Sequence, residues 1–496
     1  MKVLFVYREN ESPAIEQLSA VLKKNTHATE LVVDLFAFKG GPKLSFLGRR
    51  FDFLKLISEK IQEMDPDLIA FSVVTDDYLW ACERAEFIKE KFPRIPIVFG
   101  GIHPTAVPEK VLENGFVDFV ILGEGEYALV ELLENISKPD QWPSIRNLCY
   151  RSNEKVVINE TRPLIENLDE LPPADKELFY RQMPYLAQRY LVLTSRGCPN
   201  SCTYCCNSLL KKLNQGKGKH VRRRSSESVI QELFMARQRY KIKEVLFFDD
   251  HFLFDAKWLS EFLEEYEEKI KLPFRCLSIA RYIDRQTRAL LEKNGYCTFL
   301  QIGVQTASEK LRQEICHRHD DNENIVQVVK SLKKIKIAVA LDHIFGLPNE
   351  TVEDHIDSAR FYVSLKPDLI DTFWLNYYPG TEIVGIAQKL GLLTDQEIEE
   401  IEHGKFQRRY EVVEAGHIAN LEILKKLRNF FNLIPLLPVK MSNFIIQRRI
   451  YCYFPSNQAF GNFLQRIILI FSIRTYRLKA LEKLNKYLYA FSKKYL

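Results

Sequence analysis

Short apolar runs alternate with amphipathic stretches over the first 135 residues. Residues 2–7, 30–35, 68–74, 95–99 and 116–122 are apolar runs of strand length, and residues 14–24, 51–64, 78–92, 108–114 and 127–136 carry apolar positions at helical spacing. Repeated strand and helix alternation predicts parallel strands joined by right-handed crossovers, hence a doubly wound open sheet. Such sheets hold ligands outside their carboxyl edge, which here is formed by loops 72–77, 100–104 and 123–126. Residues 138–185 contain several prolines and no sustained period and read as a linker. A second series follows, with strands at 190–194, 244–248, 274–279, 298–303, 336–345 and 369–375. Six strand and helix units predict a partial (β/α)6 TIM-like barrel, whose chemistry sits at the carboxyl ends of its strands. Beyond about residue 391 the pattern is helical only. The expected division is 1–137, 138–185, 186–390 and 391–496.

Composition adds little until the charges are mapped. With 46% hydrophobic and 27% charged residues in 496, the chain is an ordinary globular one rather than disordered, collagen-like or coiled-coil. No apolar run approaches the roughly 18 residues that span a bilayer, and the first ten residues turn charged too soon for a signal peptide. A cytoplasmic location is the expectation. The net charge of +5 is uneven: residues 431–496 carry eleven Lys or Arg against one acid, Glu482. Basic and apolar residues alternate there, in 463–474 and 478–495. Such a tail either lies on an anionic bilayer surface or packs its apolar stripes on the barrel with its basic groups in water. The first option places the protein peripherally at the inner face of the membrane, near a lipid-like substrate.

Four of the ten cysteines fall within residues 198–206, a spacing foreign to a disulfide framework. Cys198, Cys202 and Cys205 follow directly on the strand 190–194, so three thiolates share one loop at the barrel mouth. Structural zinc wants four ligands, usually from two separated knuckles, and no second knuckle is present. Cys206 directly follows Cys205, so its side chain is expected to point elsewhere and not to ligate. A zinc-dependent nucleic-acid-binding protein using the basic tail is the reading from a different class; it would bind with a steep salt dependence, and no nucleic acid is expected on the main reading.

The spacing C-x3-C-x2-C with Tyr204 before the last cysteine resembles the signature of the radical S-adenosylmethionine superfamily. The resemblance implies a [4Fe-4S] cluster held by Cys198, Cys202 and Cys205, with one iron left open to S-adenosylmethionine, where four-cysteine clusters are closed. Further segments resemble the family's motifs at the same barrel face. Asp249-Asp250 resembles the acidic pair at the substrate ammonium, with a helix cap as the alternative for either. Arg281 could pair with the cofactor carboxylate through its planar fork or be a solvated surface residue. Gly303-Val-Gln305 resembles the segment near the ribose, with Gln305 in place of the usual acid; Gln still hydrogen-bonds a hydroxyl. Gly346-Leu-Pro-Asn-Glu350-Thr351 resembles the late-strand stretch whose backbone lies against adenine, and it also reads as a strand-to-helix turn with Glu350 in the first helical turn. Ser225 or Ser226 reads as a helix cap.

The front segment resembles the cobalamin-binding domain that precedes the barrel in one large subclass of that family. Ser72, Thr75, Gly100, Gly101, Gly123, Glu124 and Gly125 carry the resemblance, together with His103, Pro108 and Glu109. Glycines at a sheet edge let backbone approach a flat ring closely. The Asp-x-His-x-x-Gly motif that supplies an imidazole to cobalt elsewhere is absent, and His103 is expected to be a structural or edge-contact residue. The resemblance implies a Rossmann-like B12-binding domain, a radical barrel and a helical C-terminal region. Its cofactors would be a [4Fe-4S] cluster, S-adenosylmethionine and cobalamin, fed by a one-electron reductant such as flavodoxin or ferredoxin. The implied activity is C-methylation of an unactivated carbon of a small-molecule or lipid-like substrate, through a 5'-deoxyadenosyl radical and methylcobalamin. The runner-up is a radical oxidoreductase, cyclase or rearrangement enzyme.

Overall fold

The computed structural model describes residues 1–35, 53–405 and 420–457. Two sheets organise it, one mixed and one parallel. The first has the order β2-β1-β3-β4-β5-β6-β7, with β1 Lys2–Arg8, β2 Ala28–Asp34, β3 Leu68–Ser72, β4 Ile97–Gly100, β5 Phe119–Ile121, β6 Leu148–Ser152 and β7 Lys155–Ile158. Val3, Leu4, Phe5 and Val6 of β1 are all buried, as a strand covered on both faces requires. Helices Phe53–Met64 and Tyr78–Lys91 cover one face, and helices Pro13–Lys24 and Glu126–Glu134 cover the other.

The stretch 138–185, expected as a linker, departs from that reading. It supplies β6 and β7, which extend the front sheet in antiparallel fashion, pairing Val120 with Cys149 and Tyr150 with Val157. The two strands are five and four residues long and meet at Asn153–Glu154, where both residues have positive φ. Positive φ at both central residues is what a tight hairpin twisted like its strands demands. Strands this short carry too few alternations to announce themselves. The rest of the stretch, including Phe179, Met183 and Tyr185, joins one apolar cluster with Phe5 and Leu129 of the front domain and Phe247 and Val339 of the barrel.

The second sheet has the order β15-β14-β13-β12-β11-β8 and is parallel throughout. Its strands are β8 Arg189–Val192, β11 Glu244–Phe247, β12 Phe274–Ser278, β13 Cys297–Gln305, β14 Ala338–Phe345 and β15 Leu369–Trp374, and between β8 and β11 a short antiparallel pair, β9 Ser195–Arg196 with β10 Arg222–Arg223, stands apart. The expected strand at 298–303 runs on to Gln305 through an irregularity between Gly303 and Gln305. Because all six strands are parallel and neighbours in order, their carboxyl ends form one rim. Helix Leu421–Leu433 packs beside β15: buried Arg428 donates to the Thr372 hydroxyl and carbonyl at 3.0 and 3.1 Å, and Phe431 packs against His343 and Phe345. Residues 458–496, most of the basic tail, lie outside the described residues. Among the described residues, no helix is long and apolar enough to cross a membrane.

Candidate active site

The barrel rim gathers the barrel-side residues the sequence singled out. Cys198 and Cys202 are buried and Cys205 is half-buried, on the loop between β9 and helix Cys206–Leu213. Gly197 sits at φ 81°, where a Cβ would fall 2.1 Å from the His220 carbonyl oxygen; only glycine allows the loop to leave β9 this way. Burial pushes the Cys198 thiol up to about 12 and raises Cys202 as well, and each feels the negative charge of Cys205. Three mutually repelling thiolates in a dry loop are stabilised by a bound cation, which fits a metal centre. The Cys206 thiol hydrogen-bonds that of Cys205, so it does not turn away as expected; the first turn of the helix begins at Cys206 and brings the two side chains together.

Asn200, inside the cysteine loop, ties three segments to one amide. Its Oδ1 accepts a hydrogen bond from Arg281, and its Nδ2 lies 2.8 Å from His251 Nε2 and 3.5 Å from Cys198 Sγ. The Arg281 donor fixes the amide's orientation, so His251 Nε2 is the acceptor and its ring is neutral; burial, with Arg318 and Arg281 nearby, lowers its pKa to about 3. Arg281 also stacks on Tyr282. On the other flank, the Tyr204 hydroxyl accepts from Arg318 Nη1 at 3.4 Å, while Arg318 donates to the Gly303 carbonyl at 2.7 Å and pairs with Asp320 at 2.9 Å. Arg318 is buried and favours the thiolate of Cys202. Gln305, at φ 73°, turns back so that its amide would meet any Cβ on residue 303 at 2.8 Å. Gly346, at φ 86°, closes the rim above β14.

The two adjacent aspartates do different things, and neither caps a helix. Asp249 is buried and accepts from the Thr194 amide and hydroxyl at 2.9 and 3.0 Å and from the Ser195 hydroxyl, locking the end of β8 beneath the cysteine loop. Asp250 opens to the cavity, where partial dehydration and the neighbouring Asp249 raise its carboxyl while the Asn207 amide opposes them. Ser225 caps helix Ser226–Arg239, as expected.

The front sheet's carboxyl edge faces this rim across a cavity of about 910 Å³. Ser72, Gly100, Gly101, Gly123, Glu124 and Gly125 line it from one side; Ser195, Arg196, Gly197, Asn207, Phe248 and Asp250 line it from the other. Bare backbone at four of these positions gives a flat floor, and Phe248 is 53% exposed toward it. Gly101 is held at φ 99°, with the Val73 carbonyl 2.6 Å from where a Cβ would sit. Thr75 departs from expectation: it is buried at the start of a single 3-10 turn and does not line the cavity. His103 is fully buried against Tyr78, ring centroids 4.0 Å apart, and burial lowers it to about 3. It is a neutral packing residue away from the cavity.

Glu124 does more than expected. It accepts from Arg196 and Arg222 at 3.0 Å each and from the Ile165 amide at 3.0 Å, and Glu126 pairs with Arg196 at 2.5 Å. Burial opposes ionisation of Glu124, but the two guanidiniums outweigh it and hold the carboxyl below its usual range. These bonds fasten the front loop to residue 196, next to Gly197 and the first cysteine. Sequence reading missed Arg196, Arg222, Asn200 and Arg318, because their partners are far away along the chain.

A fold of this build, with three thiols at the barrel mouth, defines a radical S-adenosylmethionine enzyme with a cobalamin-binding front domain. The family model for the radical SAM superfamily matches residues 192–362, and that for the B12 binding domain matches residues 17–133. The chain is 30% identical over 383 residues to an uncharacterized methyltransferase, PH0819, of Pyrococcus horikoshii, covering 76% of this chain and 80% of that one. It is 24% identical over 340 residues to the anaerobic magnesium-protoporphyrin IX monomethyl ester cyclase of Cereibacter sphaeroides, covering 65% of this chain and 53% of the cyclase. The radical S-adenosylmethionine methyltransferase TsrM of Kitasatospora setae, solved with its tryptophan substrate, shares the fold at a TM-score of 0.64 and 18% identity, over 79% of this chain and 77% of TsrM; TsrM has also been solved with cobalamin and a [4Fe-4S] cluster. The chain belongs to the radical SAM superfamily, in the subclass that carries a B12-binding domain, and the cofactors that go with these two domains are a [4Fe-4S] cluster, S-adenosylmethionine and cobalamin.

Proposed function

We propose that the protein methylates an unactivated carbon of a small molecule held between its two sheets. One observation carries this reading: the glycine-floored edge of the front sheet and the flank of the cysteine loop line the same cavity. When bound, the cluster with S-adenosylmethionine supplies a carbon-centred radical and cobalamin supplies a methyl group. The chain's own residues do the rest. Cys198, Cys202 and Cys205 would hold the cluster; Tyr204 and Arg318 brace their loop against the end of β13. Asp250 would accept an ammonium group, and Arg281 and Gln305 would offer donors for the carboxylate and ribose of the nucleotide. Ser72, Gly100, Gly101, Gly123 and Gly125 would receive the corrin by backbone. Phe248 and Val74, both exposed into the cavity, offer an apolar wall that keeps water from a reactive carbon.

The substrate reading is a small organic molecule with apolar surface; a lipid-like one drawn from a membrane by the basic tail is its narrower form. The relatives include a cyclase, so ring formation without methyl transfer is the second reading. Anaerobic incubation of the reconstituted enzyme with a small-molecule extract and S-adenosylmethionine carrying a deuterated methyl separates them. Methylation gives a labelled product, with S-adenosylhomocysteine accumulating alongside 5'-deoxyadenosine. 5'-Deoxyadenosine without S-adenosylhomocysteine or label would replace methyl transfer with the cyclase reading.

A further inference from the structure

Behind the turn that follows β14, four side chains stand in a line. Glu350 Oε2 accepts from the amides of Gly346 and Leu347, both at 3.0 Å. His355 Nε2 lies 3.2 Å from the same oxygen in a bent contact. His355 Nδ1 lies 3.2 Å from His343 Nε2, and His343 Nδ1 lies 3.1 Å from the Tyr362 hydroxyl. His343 and Tyr362 are wholly buried, and the side chains of His355 and Glu350 are 1% exposed.

An ionised Glu350 can only accept, so a lone pair on His355 Nε2 would be repelled and that nitrogen carries the hydrogen. The other ring nitrogen of His355 bonds His343 Nε2, and His343 Nδ1 bonds the Tyr362 hydroxyl. Burial holds the His343 imidazole well below its usual range. The residues His343, Glu350 and His355 offer ligand atoms within 4.8 Å of one another, but they do not converge on a metal. The ring of His355 stands between the other two and meets each through a different nitrogen.

We propose that Tyr362, His343 and His355 are positioning residues: a buried hydrogen-bonded trio whose last ring lies 3.2 Å from the Glu350 carboxylate, holds it on the Gly346 and Leu347 amides and so presets the turn that receives the nucleoside end of S-adenosylmethionine. This rests on the radical S-adenosylmethionine reading of the barrel. The trio does not reach the cysteine loop directly, although Leu347 and Tyr204 belong to the same apolar cluster. Losing it loosens nucleotide binding and leaves the cluster in place.

The test compares His355→Phe with His355→Gln in the reconstituted holoenzyme, since Gln can still accept from His343 and donate to Glu350. Loss of a polar neighbour to a buried charge predicts S-adenosylmethionine binding weaker by about tenfold in the Phe variant. Iron and sulfide content, and the rate of S-adenosylmethionine cleavage at saturation, stay at wild-type levels. His355→Gln binds within about twofold of wild type. Tyr362→Phe removes only the outermost hydroxyl and covers the case in which His355→Phe does not fold; it weakens binding by a smaller factor in the same direction. Wild-type affinity in both His355→Phe and Tyr362→Phe, or cluster loss that accompanies the loss of nucleotide, overturns the role of the trio alone. A wild-type protein that takes up no cluster or binds no S-adenosylmethionine overturns the parent reading as well.

Discussion

The two faces of the cavity are both carboxyl edges of parallel strands, yet they are built from opposite materials. At its centre the front edge offers backbone, from four glycines and a serine, with the nearby histidine turned inward and kept neutral. The barrel rim is dense with side chains that bond one another, from Asn200 and Arg281 to Tyr204, Arg318 and Asp249. A flat macrocycle is received by shape and close backbone approach, whereas a cluster and a charged nucleotide need donors and acceptors held in place. Glu124 and Glu126 belong to the first face but are spent on Arg196 and Arg222 of the second, which makes them a joint as much as a ligand surface.

The sharpest way to break this contrast is at the cysteines. Ala at Cys198, Cys202 or Cys205 should abolish cluster assembly and S-adenosylmethionine cleavage, read by iron and sulfide analysis and by 5'-deoxyadenosine, while corrin uptake persists. Cys206→Ala should keep the cluster, despite its bond to Cys205; loss of iron there would promote Cys206 to a ligand. The joint comes next. Arg196→Ala leaves the buried carboxylate of Glu126 without its partner and should cost about 3 kcal/mol of stability in urea unfolding, with both corrin and cluster contents reduced.

Gly101→Ala attacks the backbone face alone. Positive φ plus the Val73 contact should cost on the order of 2 kcal/mol and weaken corrin binding, with cluster content unchanged. Asp250→Asn tests one side chain of the opposite face and should weaken S-adenosylmethionine binding by about 1 to 3 kcal/mol if that carboxylate meets an ammonium; an unchanged affinity would remove it from the nucleotide site.

The smallest effect is expected at His103. Its folded pKa of about 3 lies below the ordinary 6.5, so the unfolded chain takes up a proton first as pH falls. Its contribution is therefore complete above about pH 6.5 and is lost progressively between there and about 3. His103→Phe, which keeps the stack on Tyr78, should flatten that part of the pH dependence of unfolding and leave corrin binding unaltered. A drop in corrin affinity would return the imidazole to the cobalt site.

Much of this was legible in the sequence for a local reason. Strand and helix alternation follows from periodicity within ten or fifteen residues, and the cysteine spacing puts three thiols on one loop whatever surrounds it. Gly346 and Gln305 could be placed because each ends a strand with a clear apolar run. Where the period was short, as in β6 and β7, the reading lapsed into a linker.

What the chain alone determined, then, was the inventory: two α/β units, a trio of closely spaced thiols and a glycine-rich edge, all set by neighbours in sequence. Tertiary structure decided which of those groups face one cavity, that Thr75 and His103 do not, that Glu124 reaches Arg196 across 72 positions, and that His343, His355 and Glu350 line up behind Gly346. The physical reason is that burial and hydrogen-bond partners belong to a packed arrangement of distant segments. No local pattern records which charge will be left to meet which.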